Sequence, residues 1–315
     1  MTTHIDIRIP RGPLTLAGTL HRARPADEPA PAVVVSTPGS SVRGQIGANY
    51  GRRLAAAGVT ALVFDPAFQG ESDGEPRDLE DPYERAADIR HAVDHLSTLA
   101  DVDGRRIGAL GICAGGGYAA HTAMTDHRIR ALAVVVPVNI GRARRQGDPT
   151  PGAVAAALRR AAEQRSVEAA GGEPVRVPWL PDTRAEADAA GITDIDVLQA
   201  IDFYRTDRGR DEHSTNRRVA RGDAQVLGFD AFHLAGELLT QPLLVVVGGR
   251  QGTTGSFADG QHLYELAPNK DAFVVVEGAG HYEMYDEPRF VDPTVARLAD
   301  FFSRHLSAER ADSAY

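Results

Sequence analysis

The sequence predicts an α/β fold, a mostly parallel, doubly wound sheet of eight strands with helices on both faces. Three observations carry that expectation. Runs of Val, Ile and Leu alternate with segments of helical pattern along most of the chain, the order in which crossover helices join parallel strands. At 315 residues and 43% hydrophobic content the chain can bury one substantial core, as a single large domain with an insertion does. Only one stretch interrupts the alternation, and it is far longer than a crossover needs.

The elements follow in order. Residues 5–9 and 14–20 form an opening antiparallel pair, and the Val-, Ile- and Leu-rich runs 32–36, 60–64, 106–110, 131–136, 243–247 and 273–276 supply the remaining strands. Helical patterns fall between them at 50–57, 82–99, 114–124, 231–239, 257–266 and 293–306. Residues 139–229 separate the sixth and seventh strands and read as a helical cap, so the core comprises 1–138 and 230–315. The cap sequence is helix-forming without strand character: 153–170 is alanine-rich and 195–204 carries apolar residues at helical spacing. Gly171-Gly172-Glu173-Pro174 and Pro178-Trp179-Leu180-Pro181 break it into pieces. Such insertions commonly act as lids or binding elements; a structural or dimerising appendage is the rival, which leaves a homodimer open. No internal repeat is present, and the tail after Leu306 is expected to be loosely ordered.

Charge and composition narrow the function. A net charge of −9 disfavours a nucleic-acid partner, since phosphate binding rests on a basic surface. No basic-then-apolar leader and no run of about 18 apolar residues is present, so the expectation is a soluble cytoplasmic protein with no membrane partner. A single cysteine forms no internal disulfide. No H-E-x-x-H or clustered Cys/His spacing suggests a metal, and no cofactor is expected.

That one cysteine stands in Gly111-Ile112-Cys113-Ala114-Gly115-Gly116, directly after an apolar strand. A strand ending in G-x-nucleophile-x-G forces a sharp, strained turn into a helix and leaves the central side chain exposed at the top of the sheet. At a helix amino end, free N–H groups and the dipole favour thiolate, and an imidazole can take the thiol proton. An oxyanion formed on an attacked carbonyl needs two donors. Ala114 N–H supplies one; the loop after the third strand, Thr37-Pro38-Gly39-Ser40-Ser41, supplies the other, with Ser40 first and Ser41 next.

The general base is expected after the last strand, where Glu277-Gly278-Ala279-Gly280-His281 can swing His281 over the elbow. The acid is expected after the strand at 243–247, but Gly248-Gly249-Arg250-Gln251-Gly252-Thr253-Thr254 holds no carboxylate. Asp230 is the favoured substitute, although it also reads as a helix N-cap. Asp259 reads as part of a capping box with Ser256, and Glu283 and Asp286 lie close to His281 in sequence. A Cys–His dyad oriented by a backbone or hydroxyl acceptor is the other option. Arg77 and Glu80 read as a solvated ion pair.

Together, Gly70-Glu-Ser-Asp-Gly-Glu-Pro-Arg77, Leu110-Gly-Ile-Cys-Ala-Gly-Gly-Gly-Tyr118, Phe203-Tyr-Arg-Thr206, Phe229-Asp-Ala-Phe232 and Gly280-His-Tyr-Glu-Met-Tyr-Asp286 resemble the α/β hydrolases. The likeness is to the dienelactone-hydrolase-like branch that includes polyketide transferases and thiohydrolases. It implies an α/β-hydrolase fold, Cys113 as nucleophile and His281 as base. The expected function is acyl transfer from a small-molecule ester, thioester or lactone, with water as default acceptor. Transfer or cyclisation onto an alcohol or amine is one alternative, and a non-hydrolytic role on the same fold is another.

Overall fold

The computed structural model describes residues 3–23 and 28–307; the predicted loose tail lies outside them, save Ser307. The core strands are β1 (Thr3–Arg11), β2 (Leu14–Arg22), β3 (Ala30–Ser36), β4 (Thr60–Phe64), β5 (Val102–Ile112) and β6 (Ile129–Val135). The chain then leaves the sheet, pairs β7 (Arg176–Pro178) with β8 (Arg217–Val219) in a separate ribbon, and returns as β9 (Leu243–Gly248) and β10 (Lys270–Val276). The main sheet has eight strands in the order β1-β2-β4-β3-β5-β6-β9-β10. Only β1/β2 and β2/β4 pair antiparallel; every later pairing is parallel.

Side-chain alternation explains the two covered faces. In β3, Ala32 and Val34 point into one core with α2 (Pro82–Ser97), α3 (Ala114–Ala123) and α10 (Ser256–Leu266), through Ile89, Val93, Tyr118 and Leu263. Val33 and Val35 point into the other, with Tyr50 and Leu54 of α1 (Ala48–Ala56) and Leu298, Phe301 and Phe302 of α12 (Pro288–His305). Both faces being covered, strands such as β4 and β9 are buried at every residue. Asp81 starts α2 by accepting from Tyr83 N–H and Glu84 N–H ahead of Pro82, a cap worth about 1 kcal/mol.

Between β6 and β9 lie α4 (Ile140–Gln146), α5 (Ala153–Ala169), α6 (Arg184–Ala189), α7 (Ile195–Tyr204), α8 (Asp223–Gly228) and α9 (Ala235–Leu238). The helices expected at 153–170 and 195–204 are there, the first ending before Gly171 at φ +91°, a left-handed position that glycine tolerates. The strand-free reading of this stretch is corrected by the β7/β8 ribbon, whose three-residue strands are too short for periodicity to reveal. The helix expected at 231–239 is reduced to α9, because Asp230 Oδ1 accepts from Phe232 N–H at 3.1 Å and folds residues 231–234 into turns.

Strand order places the site. β3 lies between β4 and β5, so the chain winds one way from β3 and the other way from β5, and a crevice opens beyond their carboxyl ends. The turns after β3, β5 and β10 meet the returning stretch there.

Candidate active site

Cys113 joins β5 to α3 at φ +56°, ψ −127°, a left-handed backbone that costs a non-glycine residue on the order of 1–3 kcal/mol. Neighbouring glycines make the turn fit: a Cβ at Gly115 would lie 2.2 Å from Ser36 O, and one at Gly111 would lie 2.4 Å from Gly115 O. The thiol lines a cavity of about 220 Å³ walled by Gly39, Val138, Trp179, Tyr204, Tyr282 and Tyr285 among others. Trp179 and Tyr204 come from the stretch between β6 and β9.

Burial pushes the Cys113 thiol up to about 11, against hydrogen bonds from the Tyr285 hydroxyl and Ala114 N–H that favour thiolate. Desolvation therefore outweighs the helix amino end, and the resting group is a thiol. His281 is buried and lowered to about 4 by desolvation, with the Asp196 carboxylate pulling it back up. Burial disfavours the charged form of both groups. A standing thiolate–imidazolium pair is thus disfavoured; proton loss must accompany bond formation.

Both ring nitrogens of His281 face hydroxyls. Nδ1 lies 3.0 Å from Ser256 Oγ, and Nε2 lies 3.1 Å from the Tyr285 hydroxyl. Among the described residues no hydrogen bond joins Cys113 Sγ directly to the imidazole. Tyr285, on α11 (Glu283–Asp286), places its hydroxyl 3.1 Å from His281 Nε2 and in the cavity wall beside Cys113. Burial, then the neighbouring Cys113 and Tyr204, raise its phenol well above the usual range. Burial raises the Tyr204 phenol too, against the nearby Tyr285 and Ser41 hydroxyls, which favour its charged form.

The expected acids lie elsewhere. Asp230 is exposed and binds Asn139 Nδ2–H at 2.8 Å and Phe232 N–H at 3.1 Å; it does not reach His281, because its loop turns it toward Asn139. Asp259 makes no capping box: it accepts from Asn139 N–H at 2.8 Å and from Arg142, while Gly255 is the N-cap of α10. That leaves Ser256 free to face His281. Asp286 pairs with Arg208, and Glu283 accepts from Gly280 N–H at 2.8 Å. A hydroxyl thus stands where the acid was sought.

One carboxylate nevertheless enters the acid loop from outside. Asp196, buried in the first turn of α7, accepts from Thr254 N–H and Thr254 Oγ1–H, each at 2.9 Å. A Cβ at Gly252 would lie 2.2 Å from Asp196 Oδ2, so glycine is needed for that approach. The sequence carried only a faint signal, a second acid two residues after the cap Asp194.

Ser40 also differs from expectation. Its N–H donates to Glu80 Oε2 at 3.1 Å, so it is engaged rather than aimed at an oxyanion. Glu80 is 2% exposed and receives a two-pronged bond from Arg85, at 2.9 and 2.8 Å, and the Tyr118 hydroxyl at 2.7 Å. Arg85 reaches on to Pro38 O at 3.2 Å. Glu80 is therefore a buried anchor of the loop after β3, and Arg77 instead binds the carbonyls of Gly70 and Ser72. Ala114 N–H lies against the thiol. Among the described residues no group of three or more His, Cys, Asp or Glu is placed to hold a metal ion.

The parallel sheet, the elbow and the histidine loop place the chain in a known class, and residues 34–293 match the model of the α/β hydrolase family. The chain belongs to that family and is an enzyme of this kind. It is 37% identical over 284 residues to the uncharacterized protein YcjY of Escherichia coli (strain K12), covering 87% of this chain and 89% of that one. A thiohydrolase of Eupenicillium brefeldianum is 26% identical over 276 residues, covering 86% and 84%. The crystal structure of hypothetical protein PA2218 from Pseudomonas aeruginosa superposes with a TM-score of 0.86 at 26% identity, covering 96% and 94%.

Proposed function

We propose that the enzyme transfers an acyl group from a small ester, thioester or lactone by way of a Cys113 acyl-enzyme, with His281 as general base and water as acceptor. One observation carries this reading: the thiol sits on a strained turn at the top of a parallel sheet and lines one cavity with Tyr285, whose hydroxyl lies 3.1 Å from His281 Nε2. Attack forms a C–S bond as His281 gains the proton, and the carbonyl electrons move onto an oxygen facing Ala114 N–H. Collapse expels the leaving group, which takes the proton back from His281. Water then repeats the sequence on the acyl-enzyme. The likeness to a thiohydrolase supports a thioester among the substrates.

In this reading residues 139–229 act as a cap on a core of 1–138 and 230–315, because Trp179 and Tyr204 close the cavity over Cys113. That aromatic wall favours a second reading, delivery to an alcohol or amine with water excluded. The test is turnover of p-nitrophenyl acetate and of a thioester. Wild-type protein should release product with a burst, and Cys113→Ala should release none. Turnover surviving in Cys113→Ala would overturn the reading. Adding alcohol or amine acceptors and analysing the products separates hydrolysis from transfer.

A further inference from the structure

We propose that Asp196 is a positioning residue for the base: by clamping Thr254 it holds Ser256 Oγ on His281 Nδ1, so that the stretch between β6 and β9 supplies the carboxylate that the loop after β9 lacks. The inference rests on the assignment of Cys113 and His281 made above. Each step is a hydrogen bond. Asp196 Oδ2 accepts from both Thr254 N–H and Thr254 Oγ1–H, each at 2.9 Å, and two residues further on Ser256 Oγ lies 3.0 Å from His281 Nδ1.

The link between the two is short and stiff. Arg142 Nη2–H donates to Thr254 O at 3.0 Å, so the N–H, the hydroxyl and the carbonyl of Thr254 are all held, from α7 on one side and α4 on the other. Gly255, at φ +70°, is the left-handed N-cap of α10, and Ser256 is the first residue of that helix. A segment pinned at Thr254 and continued as helix from Ser256 gives the serine hydroxyl one place to stand, which is how a base is kept in its working orientation.

Two plainer roles do not account for Asp196. Its carboxylate is not the cap of its own helix, because Asp194 already accepts from Asp196 N–H at 2.9 Å and Val197 N–H at 3.3 Å. Nor is it needed merely to fasten the inserted stretch to the core. Arg142 pairs with Asp259, Arg208 pairs with Asp286, and Gln45 Nε2–H donates to Gly209 O at 2.7 Å. The Asp196 bonds fall instead on the one residue that sets where Ser256 begins its helix. At the other end of α7, about 12 Å along, Tyr204 walls the cavity over Cys113, so a single helix joins that wall to the base.

The experiment measures the acylation burst with p-nitrophenyl acetate in wild type, Asp196→Ala, Ser256→Ala and the double variant, with a crystal structure of Asp196→Ala. A clamp acting through Ser256 predicts that each single change slows the burst about 10-fold and that the two together slow it about 10-fold as well, not about 100-fold. Asp196→Asn, whose amide oxygen can accept both Thr254 bonds, should recover most of the rate. Thr254→Val, which removes one of the two bonds and little volume, replaces Asp196→Ala in the cycle should that variant fold poorly. Additive losses, Asp196→Asn as slow as Asp196→Ala, or Ser256 Oγ still 3.0 Å from His281 Nδ1 in the Asp196→Ala structure, overturn the clamp and leave Cys113 and His281 standing. Failure of the wild type to acylate Cys113 overturns the assignment of nucleophile and base, and the position of Ser256 in Asp196→Ala then decides the clamp by itself.

Discussion

Ser256 Oγ faces His281 Nδ1 at 3.0 Å, the place at which a carboxylate would orient and charge-stabilise the base. A hydroxyl orients the ring without adding negative charge, and desolvation leaves His281 at about 4. Ser256→Ala removes the orienting bond and should lower kcat/KM about 10-fold, the worth of one hydrogen bond. Ser256→Asp supplies the missing charge, so the acid limb of the pH–rate profile should move up from about 4. A limb unmoved in Ser256→Asp would show that this position does not govern the base.

The thiol makes a second expectation. With Cys113 at about 11, its alkylation by iodoacetamide should rise steadily with pH through 9, with no plateau near neutrality. A plateau between pH 6 and 8 would reveal a standing thiolate.

Acid stability follows from the neutral histidines. His281 and His21, each lowered to about 4 by burial, bind protons only weakly in the folded state, whereas an unfolded histidine titrates near 6.5. Below that value the unfolded chain binds more protons, so stability falls as pH drops from about 6.5 toward 4. The loss is on the order of 3 kcal/mol for each histidine. Urea unfolding across that range should show a falling midpoint, and His281→Asn should make the fall shallower.

Glu80 carries the buried charge that holds the loop after β3. Glu80→Gln leaves the Arg85 guanidinium, 5% exposed, without its carboxylate, which should cost about 3–5 kcal/mol. The same change loosens Pro38–Ser40 at the wall of the cavity. Thermal unfolding reads the first effect and KM the second; an unchanged melting temperature would contradict the anchor.

The core strands were legible because Val-rich runs between helical patterns suffice to mark a parallel sheet, and β3, β4, β6 and β9 fall where those runs lie. The β7/β8 ribbon was not, since three residues carry no period. Cys113 and His281 could be singled out because each belongs to a local motif at a strand's end. Ser256, Asp196 and Glu80 reach the site from α10, α7 and the loop before α2; Ser256 read as part of a capping box, Glu80 as a solvated ion pair, and Asp196 carried no motif of its own. Tyr285 stood in plain sight four residues after His281, but only the folding of α11 against α1 sets its hydroxyl 3.1 Å from the imidazole.

The central claim is covalent: the acyl group rests on Cys113. Brief reaction with p-nitrophenyl acetate, acid quench and intact mass measurement with peptide mapping test it most directly. One added acetyl group on the Cys113 peptide is predicted. No adduct, with Cys113 still open to alkylation, or an adduct on another residue, would contradict it.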